Sequence, residues 1–156
     1  MGAVLTLLVL VFQLAAAQSS PSTDARVLGT WQLNVAKSKF FPGPPYRDET
    51  RTYEPYKDAV KMTIKRTLAN GQSLTIEYTA GYDSMEYPVS GSADYDTIRL
   101  KKLDSLTFEG VLSHADNVIA VTRRVISDDG KTMTITFKAK ELQGRPVDNT
   151  MVYDRR

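Results

Sequence analysis

A reactive centre needs a side chain that titrates near neutrality, a nucleophile beside a base, or converging metal ligands. This chain offers few of them. His114 is the only histidine and sits in Ser113-His114-Ala115-Asp116, a loop sequence between two strand-like segments. No G-x-S-x-G turn would present a serine to it, and no cluster of ligating residues would share a metal with it, so it reads as a solvated loop residue. There is no cysteine, which excludes thiol catalysis, cysteine-ligated zinc and lipid attachment through an N-terminal Cys. Asp83, Asp94, Asp96, Asp104, Asp116, Asp128 and Asp129 fall in or beside turns, where Asp hydrogen-bonds its own backbone. Asp128-Asp129-Gly130 begins like a calcium loop but lacks the later ligands, and no pair of glycosidase-type carboxylates stands out. The sequence therefore nominates no catalytic residue, no metal and no cofactor.

Arg123 and Arg124 are a different matter, because two neighbours on a strand point to opposite faces and one of them must join the apolar side. A three-residue loop at Asp128-Asp129-Gly130 would pair Ser127 with Lys131 and set Val125, Val121 and Ile119 against Met133, Phe137 and Ala139. That register turns Arg123 inward. A buried guanidinium needs an aromatic face, backbone carbonyls or an anionic ligand group. It would either close the barrel end over an aromatic such as Trp31 or contact a ligand. Arg66, on the inner face, would sit near a barrel mouth, where the plain alternative is a snorkelling rim charge. Among the eight tyrosines, Tyr78, Tyr82 and Tyr87 gather around one bend while Tyr53 and Tyr153 lie on other strands. Most read as core, although a phenol inside a barrel also orients ligands. Phe40-Phe41-Pro42-Gly43-Pro44-Pro45 is a stiff, donor-poor segment that cannot be strand interior. It either plugs one end or offers Phe40 and Phe41 to a protein partner.

The elements that must position these residues are strands. From Val27 onward Val, Ile, Thr, Tyr and Phe alternate with polar residues, and turn residues arrive about every ten positions. The pattern predicts strands at about 28–37, 47–56, 59–68, 72–82, 86–90, 95–102, 106–113, 117–127, 131–141 and 147–154. A three-residue loop at Ala69-Asn70-Gly71 pairs Leu68 with Gln72, Ile64 with Ile76, Met62 with Tyr78 and Val60 with Ala80, leaving Lys61, Thr63, Thr75, Glu77 and Thr79 on the other face. A similar loop at 103–105 would set Leu100 opposite Phe108, and Ala115-Asp116 would close Leu112 against Ile119. Sequential hairpins make a meander, and a long meander avoids exposed edges by closing into an antiparallel up-and-down barrel. A two-sheet sandwich is the rival architecture.

Residues 1–17 (MGAVLTLLVLVFQLAAA) carry no charged side chain and end on Ala15-Ala16-Ala17, the form of a signal-peptidase site. The expectation is cleavage after Ala17, an unstructured leader over 18–26 and one barrel domain over 27–156, secreted or periplasmic, with no transmembrane segment once the signal is removed. Twenty Lys and Arg against eighteen Asp and Glu, interspersed, give a net charge of +2 and no basic stripe for nucleic acid.

Gly29-Thr30-Trp31, at the start of the first strand, resembles the G-x-W opening of the calycin barrels, which comprise the lipocalins, fatty-acid-binding proteins and avidins. The resemblance implies that Trp31 closes the barrel bottom with a late-strand arginine across it, Arg123 or Arg124. It departs from the fatty-acid-binding proteins in having Lys37–Pro45 where they carry a two-helix lid, and in lacking their Arg-x-Tyr clamp in the last strand. The second and third lipocalin motifs are not cleanly present. GTWQLNVAKSKFFPGPP also resembles the opening of exported proteins of environmental bacteria.

Three functions follow as expectations. The first is a calycin-like barrel that binds a small apolar ligand, with Trp31, Tyr78, Phe108, Arg123 or Arg124, and Phe137 at the ligand. The second is an envelope scaffold or inhibitor with a solid core that works through the Phe40–Pro45 loop. The third is an isomerase or cyclase acting on a held molecule. Large inward residues, among them Met62, Ile76, Leu100 and Met133, make a filled interior the competing expectation.

Overall fold

In a computed structural model, residues 25–140 and 144–156 are described. The signal segment and most of the leader lie outside them. Ten antiparallel strands form one closed barrel in which every strand pairs with its neighbours in sequence and the first closes on the last. They are β1 (Gly29–Leu33), β2 (Asp48–Tyr56), β3 (Ala59–Thr67), β4 (Ser73–Ala80), β5 (Asp83–Ser90), β6 (Thr97–Lys102), β7 (Thr107–His114), β8 (Asn117–Ile126), β9 (Thr132–Lys140) and β10 (Pro146–Arg155). The meander barrel is the architecture the alternation predicts. β1 is shorter than expected because Val35–Lys37 forms a single 3-10 turn capped by Asn34, whose side chain accepts from the Lys37 amide.

The β3–β4 hairpin has the predicted register, with Val60, Met62 and Ile64 opposite Ala80, Tyr78 and Ile76. Gly71 takes the left-handed conformation in its turn, at φ 89°. Three other hairpins depart from expectation. At β8–β9 the loop has four residues, not three. The Ser127 amide donates to the Thr132 carbonyl, and the Ser127 hydroxyl joins Asp129 to the Thr132 amide across the turn. The register becomes Ile126 with Met133, Arg124 with Ile135 and Thr122 with Phe137. A slip of one residue reverses every side chain on a strand. Arg124 therefore points inward and Arg123 outward, correcting the assignment of Arg123 to the interior.

At β6–β7 the Leu103 amide bonds the Thr107 carbonyl, so Leu100 faces Gly110 and Lys102 faces Phe108. This slip of two preserves the faces. At β7–β8 the two-residue turn Ala115-Asp116 forms as expected, both residues left-handed at φ 46° and 66°. A β-bulge beyond it moves Leu112 from Ile119 to Ala120.

One end of the barrel is shut. Trp31 is fully buried there and donates from Nε1 to the Val27 carbonyl at 2.9 Å. The cation across its ring is neither Arg123 nor Arg124 but Arg155 of β10, whose guanidinium lies 4.2 Å from the ring centroid. Arg155 also donates to the carbonyls of Gly130 (2.6 Å), Leu28 (2.7 Å) and Arg26. One side chain thus ties β10 to the segment before β1 and to the β8–β9 loop.

Candidate ligand site inside the barrel

Above this floor the interior is hollow. A cavity of about 1020 Å³, open to solvent and reaching the outward-facing Glu109, Val121 and Lys138, is walled inside the barrel by Met62, Ile64, Ile98, Leu112, Ile135 and Met151 among its apolar residues. It runs toward the other end of the barrel, where Ala93, Asp94, His114, Val118 and Val147 border it. That volume suits a drug-sized molecule. Two polar clusters interrupt the apolar wall.

The first is built on β2, whose alternation turns Glu49, Arg51 and Tyr53 inward while Asp48, Thr50 and Thr52 face out. Glu49 has no exposed surface. Its two oxygens are divided between Arg51 Nε at 2.6 Å and Arg66 Nε, and the Tyr153 hydroxyl donates to Oε1 at 2.6 Å. Arg66 stacks 4.0 Å from the centroid of Tyr46, which meets Phe40 edge-on at 5.2 Å. Arg66 thus lies on the inner face, where the alternation places it, and is held in an ion network in place of snorkelling as a rim charge. Burial pushes the Glu49 carboxyl upward, but Arg51, Arg66 and the Tyr153 hydroxyl outweigh it and hold the group below the usual carboxylate range.

The second cluster surrounds Arg124, which is 6% exposed. Its Nη2 donates to the Tyr82 hydroxyl at 2.7 Å, and its guanidinium lies 4.5 Å from the centroid of Phe108 and 4.8 Å from that of Tyr53. Its Nε has no hydrogen-bond partner, and no carboxylate is paired with the group. Burial would raise the Tyr53 phenol, yet the Arg124 and Arg51 cations prevail and hold it below its ordinary value. Tyr78, next along the wall, is pushed upward by burial.

Among the described residues, three inward guanidinium groups thus meet one buried carboxylate, and the buried excess is positive. Glu49 compensates Arg51 and Arg66; Arg124 meets aromatic faces and the phenol oxygens of Tyr82 and Tyr53. Among the described residues, no three His, Cys, Asp or Glu side chains converge as metal ligands would.

Of the residues nominated from sequence, Tyr78, Phe108, Arg124 and Phe137 line the cavity. Trp31 lies in the floor and does not reach the cavity wall. Arg123 is on the outer surface. The Phe40–Pro45 segment divides its two aromatics: Phe40 packs inward on Tyr46, while Phe41 is 57% exposed. The segment is held along β10 by hydrogen bonds from the Phe41 amide to Asn149 Oδ1 and from the Asp148 amide to the Phe41 carbonyl, both 3.0 Å. His114 is exposed at the cavity border, with Nδ1 3.6 Å from Asp96. Glu49, Arg51, Tyr53 and Tyr82 were not nominated as ligand residues. The signal for the first three was present, since a charge pair at i and i+2 followed by an aromatic at i+4 shares one face of a strand.

No protein-family model matches the chain, and no curated protein sequence is significantly similar to it.

Proposed function

We propose that the protein is an exported, calycin-like barrel that binds one small, largely apolar molecule in its interior. The cavity carries this reading: about 1020 Å³ bounded by aliphatic and aromatic side chains on most of its wall. Close-packed interiors hold few voids larger than a water molecule, so an apolar-walled space of this size, open at one end of the barrel, suits a bound small molecule. Trp31 beneath Arg155 supports the calycin-like description, since a G-x-W tryptophan covered by a late-strand arginine is what that resemblance implies. Export rests on the sequence of residues 1–17 and is checked by the intact mass of the exported protein, which should begin at Gln18.

Native mass spectrometry with a neutral aliphatic alcohol such as dodecanol tests binding. The expected result is a single adduct, weakened at least tenfold by Ala120→Phe, which places a ring in the cavity from β8. An adduct-free spectrum at saturating alcohol contradicts the proposal. The second reading, a protein-interaction module, draws on the exposed Phe41 alone and predicts that Phe41→Ser abolishes partner capture without altering dodecanol binding.

A further inference from the structure

We propose that Arg124 is the anchor for a single negative charge on the ligand, which makes the natural occupant a monoanionic amphiphile such as a long-chain carboxylate. This rests on the cavity being a ligand site, and it concerns which ligands the site prefers. A guanidinium in a protein interior is ordinarily matched by a carboxylate or by a full set of acceptors. The same barrel does so a few strands away, where Arg51 and Arg66 both meet Glu49. Arg124 has the burial without the match. Arg124 borders the cavity, while its Nε is closed off from solvent without an acceptor.

The surroundings specify the charge and the shape. Phe108 and Tyr53 hold the guanidinium by ring contacts. Its hydrogen-bond partners within the protein are phenols, Tyr82 and Tyr53, which are far weaker acceptors than a carboxylate. One carboxylate neutralises one guanidinium. A dianion would leave a buried negative charge in the same place, and a cation would add to an interior already positive. From Arg124 the cavity runs along apolar residues such as Ile98 and Leu112, with Arg51 and Arg66 also in its wall, toward the border at Asp94 and His114, so the anionic end sits deepest and the apolar body lies toward the opening.

The test is displacement of a neutral solvatochromic dye, Nile red, by dodecanoate, dodecanol and dodecylamine at pH 7.5. The expected order is dodecanoate tightest, at least tenfold over dodecanol, with dodecylamine weakest; in Arg124→Leu the carboxylate preference disappears while dye and dodecanol still bind. Equal affinity of dodecanoate and dodecanol for the unaltered protein overturns the anchor and leaves the cavity reading standing. Failure of the unaltered protein to take up either the dye or any of the three chains overturns both. Should Arg124→Leu not fold, the ranking on the unaltered protein decides, and Arg124→Lys, which keeps the charge, is expected to retain a preference for dodecanoate.

Discussion

Arg124 of β8 and Tyr82, in the bend between β4 and β5, are 2.7 Å apart, joined from Nη2 to the phenol oxygen. β4 and β5 pair only at Glu77 with Ser90 and Tyr78 with Val89, and a bulge between Asp83 and Glu86 distorts the next seam. The contact gives Arg124 a neutral acceptor and no counter-charge.

Stability should respond oppositely at the two interior clusters. Glu49→Gln leaves Arg51 and Arg66 buried without their shared carboxylate, and breaking a buried pair from one side costs ~3–5 kcal/mol. Urea denaturation should register that loss. Arg124→Met removes a buried cation that has no anionic partner and replaces it with a flexible apolar chain, so it should leave the ligand-free protein as stable or more stable, by roughly 1 kcal/mol. Destabilisation of Arg124→Met comparable to Glu49→Gln would assign Arg124 a structural role instead.

Acid should act through Glu49. Its carboxyl titrates below the usual range in the folded barrel, so the unfolded chain binds that proton first as pH falls. The stabilisation is complete above the unfolded carboxyl value of about 4.3 and is lost as pH drops through the lower folded value. Thermal melts between pH 6 and 2 should fall more steeply in the unaltered protein than in Glu49→Gln.

Alkali should act through Tyr53. Its phenol is held below the ordinary value by Arg124 and Arg51, against the effect of burial. Deprotonation places a negative charge beside Arg124 and competes with a ligand carboxylate for it. Dodecanoate affinity should accordingly weaken as pH rises toward 10, and Tyr53→Phe should remove that dependence while dodecanol binding stays flat in both proteins.

The floor should be separable from the site. Arg155→Ala removes the cation over Trp31 and three bonds to backbone carbonyls, none of which borders the cavity. At about 1 kcal/mol or more per charge-assisted bond, a clear drop in the denaturation midpoint is expected with ligand affinity unchanged in the folded protein.

Ten strands, their order and the β3–β4 register were legible because period-two alternation and a Gly-bearing turn leave one self-consistent pairing. Arg124 was not, because its direction hangs on whether one loop holds three residues or four. The Ser127 hydroxyl, bonded to Asp129 and to the Thr132 amide, settles that count, and nothing in the hydrophobic pattern of Val121, Val125 and Met133 opposes the wrong register. The bulge past Ala115-Asp116 was hidden for the same reason: alternation survives on either side of it while the partner changes. Arg155 over Trp31 escaped because the last residues of the chain look like a polar terminus until strand closure brings them beside β1. Glu49 was readable in principle from its strand companions Arg51 and Tyr53, but a carboxylate is expected inside only when its cations are found with it.

The most direct measurement is calorimetric titration of the protein with dodecanoate at several temperatures between 10 and 35 °C. The account predicts one site and a clearly negative heat-capacity change, the mark of apolar surface leaving water inside the barrel. Saturable binding with no heat-capacity change, or no binding at any temperature, would contradict a hollow barrel built to hold an anionic amphiphile.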